Sequence, residues 1–216
     1  MRDIPVFTTE HGAASLVLHE IPYKRVAYIT LQSTLQPEEL LKECIDFCRM
    51  AGAEKIYATG HPVLKQYPLH TTVVKMQQLR ECLPEGDGYL LPVTEETAEH
   101  WRSIYNEKMQ SVPNASTLTL TDMKQYLSGG TCYFVHNGET LLGIGMVSGE
   151  KINAIAACEP GAGETVLLTL CNAVFTESVT IEVASVNTPA MRLYDRLGFQ
   201  TVAELSRWYD VGGIFN

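Results

Sequence analysis

The chain has 216 residues, of which 45% are hydrophobic and 19% are charged, a globular balance that excludes wholesale disorder. Lys and Arg number 16 against 25 Asp and Glu, and this formal net charge of −9 argues against a nucleic-acid partner. No apolar run reaches the ~18 residues of a transmembrane helix, and the first residues, MRDIPVFTTEHG, lack the apolar core of a signal peptide, so we expect a cytoplasmic protein without a membrane segment.

The amino-terminal part predicts two strands, a helix and two further strands. Pro37 suits the first turn of the helix, whose apolar residues recur at helical spacing, and Gly52 ends it. The predicted strands are 14–21, 25–31, 55–59 and 70–76, and the predicted helix is 37–51. This part contains no catalytic motif.

A turn-rich stretch, Pro84-Glu-Gly-Asp-Gly88, is the predicted boundary between an N-terminal domain, 1–83, and a C-terminal domain, 89–216. Residues 1–88 carry nine basic and eleven acidic side chains, whereas residues 89–216 carry seven and fourteen. Most of the net negative charge therefore belongs to the C-terminal part.

The C-terminal part predicts a meander followed by alternating strands and helices. Thr94, with Glu95 and Glu96 behind it, is predicted to cap a first helix, and Thr121 a second one that Gly129 ends. Asn137-Gly138 between two apolar runs predicts a hairpin. The later elements are predicted as a strand at 151–158, a helix at 165–175, a strand at 178–184, a helix that Thr188 caps and Gly198 ends, and strands at 199–205 and 206–211.

The six cysteines and six histidines form no metal-binding pattern. The sequence has no C-x-x-C pair and no H-E-x-x-H motif, and Cys44 and Cys48, one helical turn apart, lack further ligands. We expect reduced, buried thiols and no metal.

The segment from Ile152 to Leu168 carries the first functional signal. A strand of small residues leads through Gly161-Ala162-Gly163 into a helix. Glycines let backbone N–H groups approach an anion, and a helix N-terminus adds partial positive charge, so pyrophosphate is the expected guest. A G-x-G turn also occurs as a plain tight connection, and this segment alone does not decide between the two.

The second signal is the stretch IEVASVNTPAMRLYDRLGF, Ile181 to Phe199. Its Asn187, Ala190, Leu193-Tyr194 and Gly198-Phe199 pattern resembles the C-terminal motif of the GNAT acyltransferase superfamily, and the resemblance covers about 89–211. It implies a mixed α/β (α+β) fold, the GNAT acyltransferase fold, with a central mixed, mostly antiparallel sheet, preceded by a smaller α/β half. Residues 1–83 would then be a partial, cofactor-free copy.

The resemblance implies acetyl-CoA as co-substrate. The backbone of a strand that splays from its neighbour would pair with the pantetheine arm, a glycine-bearing loop would hold the pyrophosphate, and Asn187 would bond to the pantetheine amides. The implied cofactor-binding residues are Asn153, Ala154, Ile155, Ala156, Gly161, Ala162, Gly163, Glu164, Thr165, Asn187, Ala190 and Tyr194.

The implied catalytic residues are Tyr194, which would protonate the departing thiolate, and Glu182. Glu182 matches the general-base Glu of the ribosomal-protein N-terminal acetyltransferases of this superfamily. It is equally well interpreted as a strand carboxylate that faces solvent or pairs with an Arg. A backbone amide near Ile155 would hold the oxyanion.

The loop departs from the family pattern, because Pro160 stands where a basic or amide residue is usual and Thr165 where the last small residue is usual. Glu159 and Glu164 would oppose a pyrophosphate unless they point away. The sequence therefore predicts an N-acetyltransferase that acts on a primary amine of a small molecule or peptide, with a noncatalytic GNAT-like CoA-binding or regulatory module as the alternative. The acidity of 89–216 favours a cationic acceptor, and a homodimer is allowed.

Overall fold

The computed structural model describes residues 5–129 and 131–213. They form two compact units, one from the described residues of Met1–Val73 and Leu205–Asn216 and the other from Val74–Glu204. The domain boundary predicted at 84–88 stays a prediction, because compactness alone does not show which segment folds independently.

The first unit contains a sheet and one long helix. Its elements are β1 (Val6–Thr9), β2 (Gly12–Val17), α1 (Ile21–Lys24), β3 (Val26–Thr34), α2 (Pro37–Met50), β4 (Lys55–Thr59) and a 3₁₀ turn at Pro62–Gln66. The strands lie in the order β1-β2-β3-β4, and the end of β11 (Gln200–Asp210) follows β4. β3 and β4 run parallel, whereas β1/β2, β2/β3 and β4/β11 are antiparallel.

The helix α2 provides most of the core of the first unit. Pro37 suits its first turn, and Arg49 in its last turn complements the helix dipole. Its apolar face is buried against β2 and β3 through Leu40, Leu41, Cys44, Ile45 and Cys48. The predicted helix is thus confirmed, and Gly52 follows it with a left-handed φ of 97°.

The second unit contains a larger mixed sheet and four helices. Its elements are β5 (Leu69–Leu79), which begins in the first unit, a 3₁₀ turn at Arg80–Cys82, β6 (Tyr89–Pro92), α3 (Ala98–Met109), α4 (Leu120–Ser128), β7 (Cys132–His136), β8 (Leu141–Ser148), β9 (Lys151–Ala157), α5 (Gly163–Cys171), β10 (Ser178–Ala184), α6 (Thr188–Arg196) and the start of β11. The strand order is β11-β5-β10-β9-β8-β7-β6. β9/β10 is parallel, and β6/β7, β7/β8 and β8/β9 are antiparallel, so the predicted mixed, mostly antiparallel sheet is confirmed.

Two apolar clusters cover the sheet of the second unit. The first joins α5 and α6 to β8, β9 and β10, and the second joins α3 and α4 to β7, β8 and β9. α5 lies especially close to β8, because Gly143 and Gly145 have no side chains there: a Cβ at Gly145 would overlap the buried side chain of Leu170. This close packing places α5 directly against β8.

The predicted helix starts need correction. The N-caps are Thr97, Thr119 and Asn187 rather than Thr94, Thr121 and Thr188. At α4 the reason is a reciprocal contact: the Thr119 hydroxyl accepts from the Asp122 N–H, and the Asp122 carboxylate accepts from the Thr119 N–H at 2.7 Å.

Several further boundaries also differ from the predictions. The predicted strand 14–21 is β2 (Gly12–Val17), and Ile21 already begins α1, with Pro22 in its first turn. The predicted helix 165–175 spans Gly163–Cys171. It ends early because the N–H groups of residues 172–174 bond to carbonyls three residues earlier rather than four. The two strands predicted at 199–205 and 206–211 are the single strand β11, since no Gly or Pro interrupts Gln200–Asp210.

Candidate active site

The neighbouring strands β9 and β10 pair only near their amino-terminal ends. Lys151 is opposite Thr180 and Ile152 is opposite Ile181, and no pair follows although β9 continues to Ala157 and β10 to Ala184. On its other edge β9 stays paired with β8, with a bulge at Asn153. The opening leaves backbone N–H and C=O groups of β9 without a strand partner on the β10 side.

The residues predicted to meet a pantetheine arm, Asn153, Ala154, Ile155 and Ala156, lie at this opening. Ile155 packs against the apolar cluster on the α5 and α6 side, whereas Ala154 and Ala156 belong to the cluster on the α3 side. The small side chains of Ala154 and Ala156 leave the backbone edge of β9 accessible to an extended chain that carries amide groups. The backbone therefore fits such a chain, and its binding stays a prediction.

The parallel pair of the first unit has no such opening. β3 and β4 pair over five positions, from Val26/Lys55 to Thr30/Thr59, where β4 ends. Directly after it, Gly60 has a left-handed φ of 98° and passes so close to Leu31 that a Cβ would overlap the Leu31 carbonyl oxygen. Backbone atoms fill the position that the opening occupies in the second unit.

The connection from β9 to α5 presents its backbone to solvent. Gly161 has a left-handed φ of 82°, and a Cβ there would meet nothing within 4 Å. Ala162 precedes the first turn of α5 and offers no side-chain cap, so the first N–H groups of the helix at Gly163, Glu164 and Thr165 lack a capping acceptor. These groups fit an anionic ligand such as a pyrophosphate.

The charges around this loop are partly compensated. Glu164 forms an ion pair with Arg196 of α6, and Gly163 lies beside Leu193 of the same helix. The carboxylate is therefore directed at a guanidinium group rather than at the loop amides. Glu159 is exposed on the other side of Gly161.

A shallow pocket of about 380 Å³ adjoins the loop. It is lined by Asp87, Gly88, Asn137, Leu142, Glu159, Pro160, Gly161, Ala162 and Thr165. The residues of β9 at the strand opening do not line it, so the pocket and the opening flank the loop separately.

Tyr194 of α6 is buried in the apolar cluster that also receives the side chain of Ile155. It is 7% exposed, lies in the apolar cluster of Ile181 and Val183, and has its ring centroid 5.9 Å from that of Phe199. Ile155 packs against the same cluster. Burial raises the pKa of Tyr194 to about 12, so the phenol keeps its proton at neutral pH.

Glu182 lies on the opposite face of β10 from Tyr194. Its strand neighbours Ile181 and Val183 point into the cluster that holds Tyr194, and side chains alternate along a strand. The Glu182 carboxylate is 2.6 Å from Nζ of Lys151, and both side chains are more than one third exposed. The opening is thus flanked by a phenol on one side and a carboxylate on the other.

Asn187 caps α6, and its Oδ1 accepts from the N–H of Ala190 at 3.4 Å. Asn187 lies at the end of the turn that joins β10 to α6, and Ala190 lies in the first turn of α6. Their predicted contact with pantetheine stays a prediction.

Sequence reasoning missed Lys151 and Arg196, the cations that pair with Glu182 and Glu164. The partners are far apart in sequence, and only the parallel register of β9 and β10 and the packing of α6 beside α5 bring them together. No local signal identifies either pair.

Within residues 5–129 and 131–213, no group of three or more His, Cys, Asp or Glu side chains is placed to hold a metal ion. In the same residues, no helix is long and apolar enough to cross a membrane.

The sequence matches no protein-family model, and its comparison with curated proteins finds no match. The structure is similar to a GCN5-related N-acetyltransferase from Sphaerobacter thermophilus, with a TM-score of 0.56 and 9% identity over 93% of this chain and 76% of the other. It is also similar to a tandem GNAT protein from the clavulanic acid biosynthesis pathway, with a TM-score of 0.52 and 13% identity over 95% and 80% of the two chains.

An acetyltransferase of the GNAT family from Colwellia psychrerythraea gives a TM-score of 0.51 and 14% identity over 95% of this chain and 84% of the other. At such identities the likeness concerns the fold. It confirms the fold that the Ile181–Phe199 motif predicted.

Proposed function

This chain has the GNAT fold, and from this premise we propose that it is an acyltransferase. It would move an acetyl group from acetyl-CoA to a primary amine of a small molecule or peptide. The observation that carries the proposal is the opening between β9 and β10 directly before the solvent-facing loop at Gly161. The three similar structures are GNAT proteins, which supports the same conclusion.

The backbone of Asn153–Ala156 binds the pantetheine arm as an added strand would, and the amides of Gly161–Thr165 bind the pyrophosphate. Arg196 offsets the charge of Glu164 at this point, so one of the two carboxylates beside the loop is compensated and the repulsion of the phosphates is reduced. Acetyl-CoA, when bound, supplies an activated acetyl thioester.

Tyr194 and Glu182 divide the proton transfers between them. Glu182 accepts a proton from the acceptor ammonium, and Tyr194, protonated because its pKa is about 12, donates one to the departing thiolate. Tyr194 and Glu182 lie on opposite faces of β10, so the proposed acid and the proposed base are separated from each other.

The acceptor is a cationic amine. Residues 89–216 carry seven basic and fourteen acidic side chains, and this excess attracts cations over anions. The ion pair of Glu182 with Lys151 supports the same preference, because it demonstrates that an alkyl ammonium fits against this carboxylate.

A noncatalytic CoA-binding or regulatory module is the second candidate. It is favoured by the same ion pair, since a carboxylate held by Lys151 is not free to act as a base, and by Pro160 in the loop.

The test is a calorimetric titration of the full chain with acetyl-CoA, with adenosine 3′,5′-bisphosphate, which lacks the pantetheine arm, as the comparison ligand. We expect saturable binding of acetyl-CoA, much weaker binding of the comparison ligand, and a thermal stabilisation that grows with ligand concentration. A panel of polyamines, amino acids and short peptides, monitored by thiol release, then identifies the acceptor.

The outcomes separate the candidates. Binding without thiol release for any acceptor would favour the noncatalytic module. No heat and no thermal stabilisation at millimolar acetyl-CoA would exclude both.

A further inference from the structure

Lys151 is positioned against the carboxylate that the proposed function uses as its base. It is opposite Thr180 in the parallel register of β9 and β10, and Glu182 follows two residues later on the same face of β10. Its Nζ is 2.6 Å from Oε1 of Glu182. An amine therefore already occupies the place next to this base, at the point where the two strands begin to part.

The surroundings leave this amine reachable. The side chain of Lys151 is 35% exposed and that of Glu182 is 40% exposed, so neither is closed off from a bound donor. Thr180, which is 1% exposed, has a buried hydroxyl without a hydrogen-bond partner at the register position of Lys151. Hydrogen-bonding capacity is thus unused beside the amine.

We propose that Lys151 is an acetyl acceptor of this same site, so that the protein acetylates its own Lys151. The inference rests on the proposed function, because it needs acetyl-CoA in the opening between β9 and β10. The inference adds a modification site to the proposed function, and it does not depend on the identity of the external acceptor.

The chemistry balances without a further reactant. Glu182 takes a proton from the Lys151 ammonium, and the freed Nζ lone pair forms the new N–C bond to the thioester carbonyl carbon. The C–S bond breaks, and the thiolate takes a proton from Tyr194. The attacking nitrogen loses its second proton, which restores the Tyr194 phenol, and Glu182 releases the proton it took to water. The products are Nε-acetyl-lysine and free CoA. The neutral amide cannot keep the ion pair, so acetylation also releases Glu182 for an external amine.

Lys75 provides a matched control within the second unit. It is 33% exposed and forms an ion pair of 3.3 Å with Glu150, which is 47% exposed, so its accessibility and charge environment are close to those of Lys151. Lys75 differs from Lys151 because it lies on β5 and not at the opening between β9 and β10. Uncatalysed acetylation by the thioester should therefore affect the two lysines at similar rates.

The experiment incubates the full chain with acetyl-CoA and follows the acetylation of the Lys151 and Lys75 peptides over time by mass spectrometry. We expect Lys151 to be modified about 100-fold faster than Lys75, a typical contribution of general-base catalysis. Glu182→Gln should remove most of that difference while Lys75 reacts as before. Lys151→Arg, which keeps the positive charge, should abolish the label at this position and leave acetyl-CoA affinity unchanged.

Equal rates at the two lysines in a chain that binds acetyl-CoA would overturn the inference and leave the proposed function standing. A faster rate at Lys151 that survives Glu182→Gln would also overturn it, because the carboxylate would then not be the base. Absence of acetyl-CoA binding in the calorimetric titration would overturn both.

Discussion

Tyr194 illustrates how one residue serves packing and chemistry together. Its ring belongs to the apolar cluster of α5, α6 and β10, and the same burial that packs the ring raises the pKa of its hydroxyl to about 12. A phenol with such a pKa is fully protonated at neutral pH, as a proton donor to a thiolate must be.

Tyr194→Phe keeps the ring and removes the hydroxyl. We expect acetyl-CoA affinity to stay within about twofold and kcat to fall by about 100-fold, because only the proton donor is lost. Steady-state kinetics with the acceptor found in the amine panel, together with calorimetry, measures both quantities. Turnover at the parental rate would reduce Tyr194 to a core aromatic residue.

Gly161 and Gly149 form a matched pair for testing the loop. Both have a left-handed φ, 82° and 59°, and a Cβ at either would meet nothing within 4 Å. Alanine at either position should therefore cost a similar free energy of unfolding, about 1 kcal/mol. Only Gly161→Ala should weaken acetyl-CoA binding, because only Gly161 lies in the loop before α5.

Calorimetry on the two variants measures that difference. If Gly149→Ala weakens acetyl-CoA binding as much as Gly161→Ala does, backbone strain explains the loss in both variants. The loop at Gly161 would then have no specific part in binding acetyl-CoA.

At the scale of the element, the close packing of α5 on β8 depends on two glycines of the strand. The glycines at 143 and 145 of β8 face α5 and allow the helix to lie directly on the strand. A Cβ at Gly145 would overlap the side chain of Leu170, which is 0% exposed, so the leucine would have to shift within the core.

Gly145→Ala should therefore lower the free energy of unfolding by about 1–3 kcal/mol through overpacking. Combining it with Leu170→Ala should recover part of that loss, because the added methyl group then enters the space that the leucine leaves. A double-mutant cycle by urea denaturation measures this coupling. Additive losses in the double variant would show that the overlap is not with Leu170.

At the scale of the whole molecule, the second unit depends on residues that precede the predicted boundary. Met76 of β5 is 1% exposed in the same apolar cluster as Tyr194. Arg80 donates from Nε to the carbonyl of Cys171 at 2.9 Å and from Nη2 to the Asn172 side chain at 3.0 Å. The strand and the turn that follows it hold the C-terminal end of α5.

A fragment of residues 74–204 should accordingly be more stable than one of residues 89–204. Loss of a buried Met or Leu side chain alone costs about 2–5 kcal/mol, and the shorter fragment lacks both Met76 and Leu83. Circular dichroism and urea unfolding of the two fragments measure the difference. Equal unfolding midpoints would support the boundary predicted at 84–88.

Alkaline pH should destabilise the protein through its buried acids. Burial raises the pKa values of Cys44, Cys48, Cys171 and Tyr194 to about 12. The folded state therefore keeps these protons to a higher pH than the unfolded state does, and this contribution to stability is complete below the unfolded pKa values and is lost as pH rises through the folded ones.

Urea unfolding at pH 8, 10 and 11 should show a falling free energy of unfolding. Tyr194→Phe, which has no phenol to ionise, should show a smaller decrease than the parent above pH 10. Identical decreases in the two proteins would contradict the assigned burial of this hydroxyl.

The sequence predicted most of the individual elements. β4 and β10 have the predicted limits, the Asn137-Gly138 hairpin joins β7 and β8, and α2 begins at Pro37. These features depend on side chains a few positions apart, so local composition and period determine them. The helix caps were less accurate, because more than one residue near each start can cap the helix: Thr94 or Thr97, Thr119 or Thr121, and Asn187 or Thr188. At α4 the reciprocal contact with Asp122 selects Thr119.

The candidate site was predicted in part. The opening of β9 and the exposed loop at Gly161 lie where the family resemblance implied, although ligand binding there is still to be tested. The cations beside Glu182 and Glu164 could not be foreseen, because Arg196 is 32 residues from its partner and helix packing alone brings the two together.

The sequence by itself thus determined the order of helices and strands, the glycine-bearing loop and the motif that identifies the fold, because each is a property of neighbouring residues. Tertiary structure decided that β9 and β10 part after Ile152 while β3 and β4 stay closed, and that Lys151 lies against Glu182. Strand register and helix packing join residues that are distant along the chain, and no local pattern encodes the resulting distances.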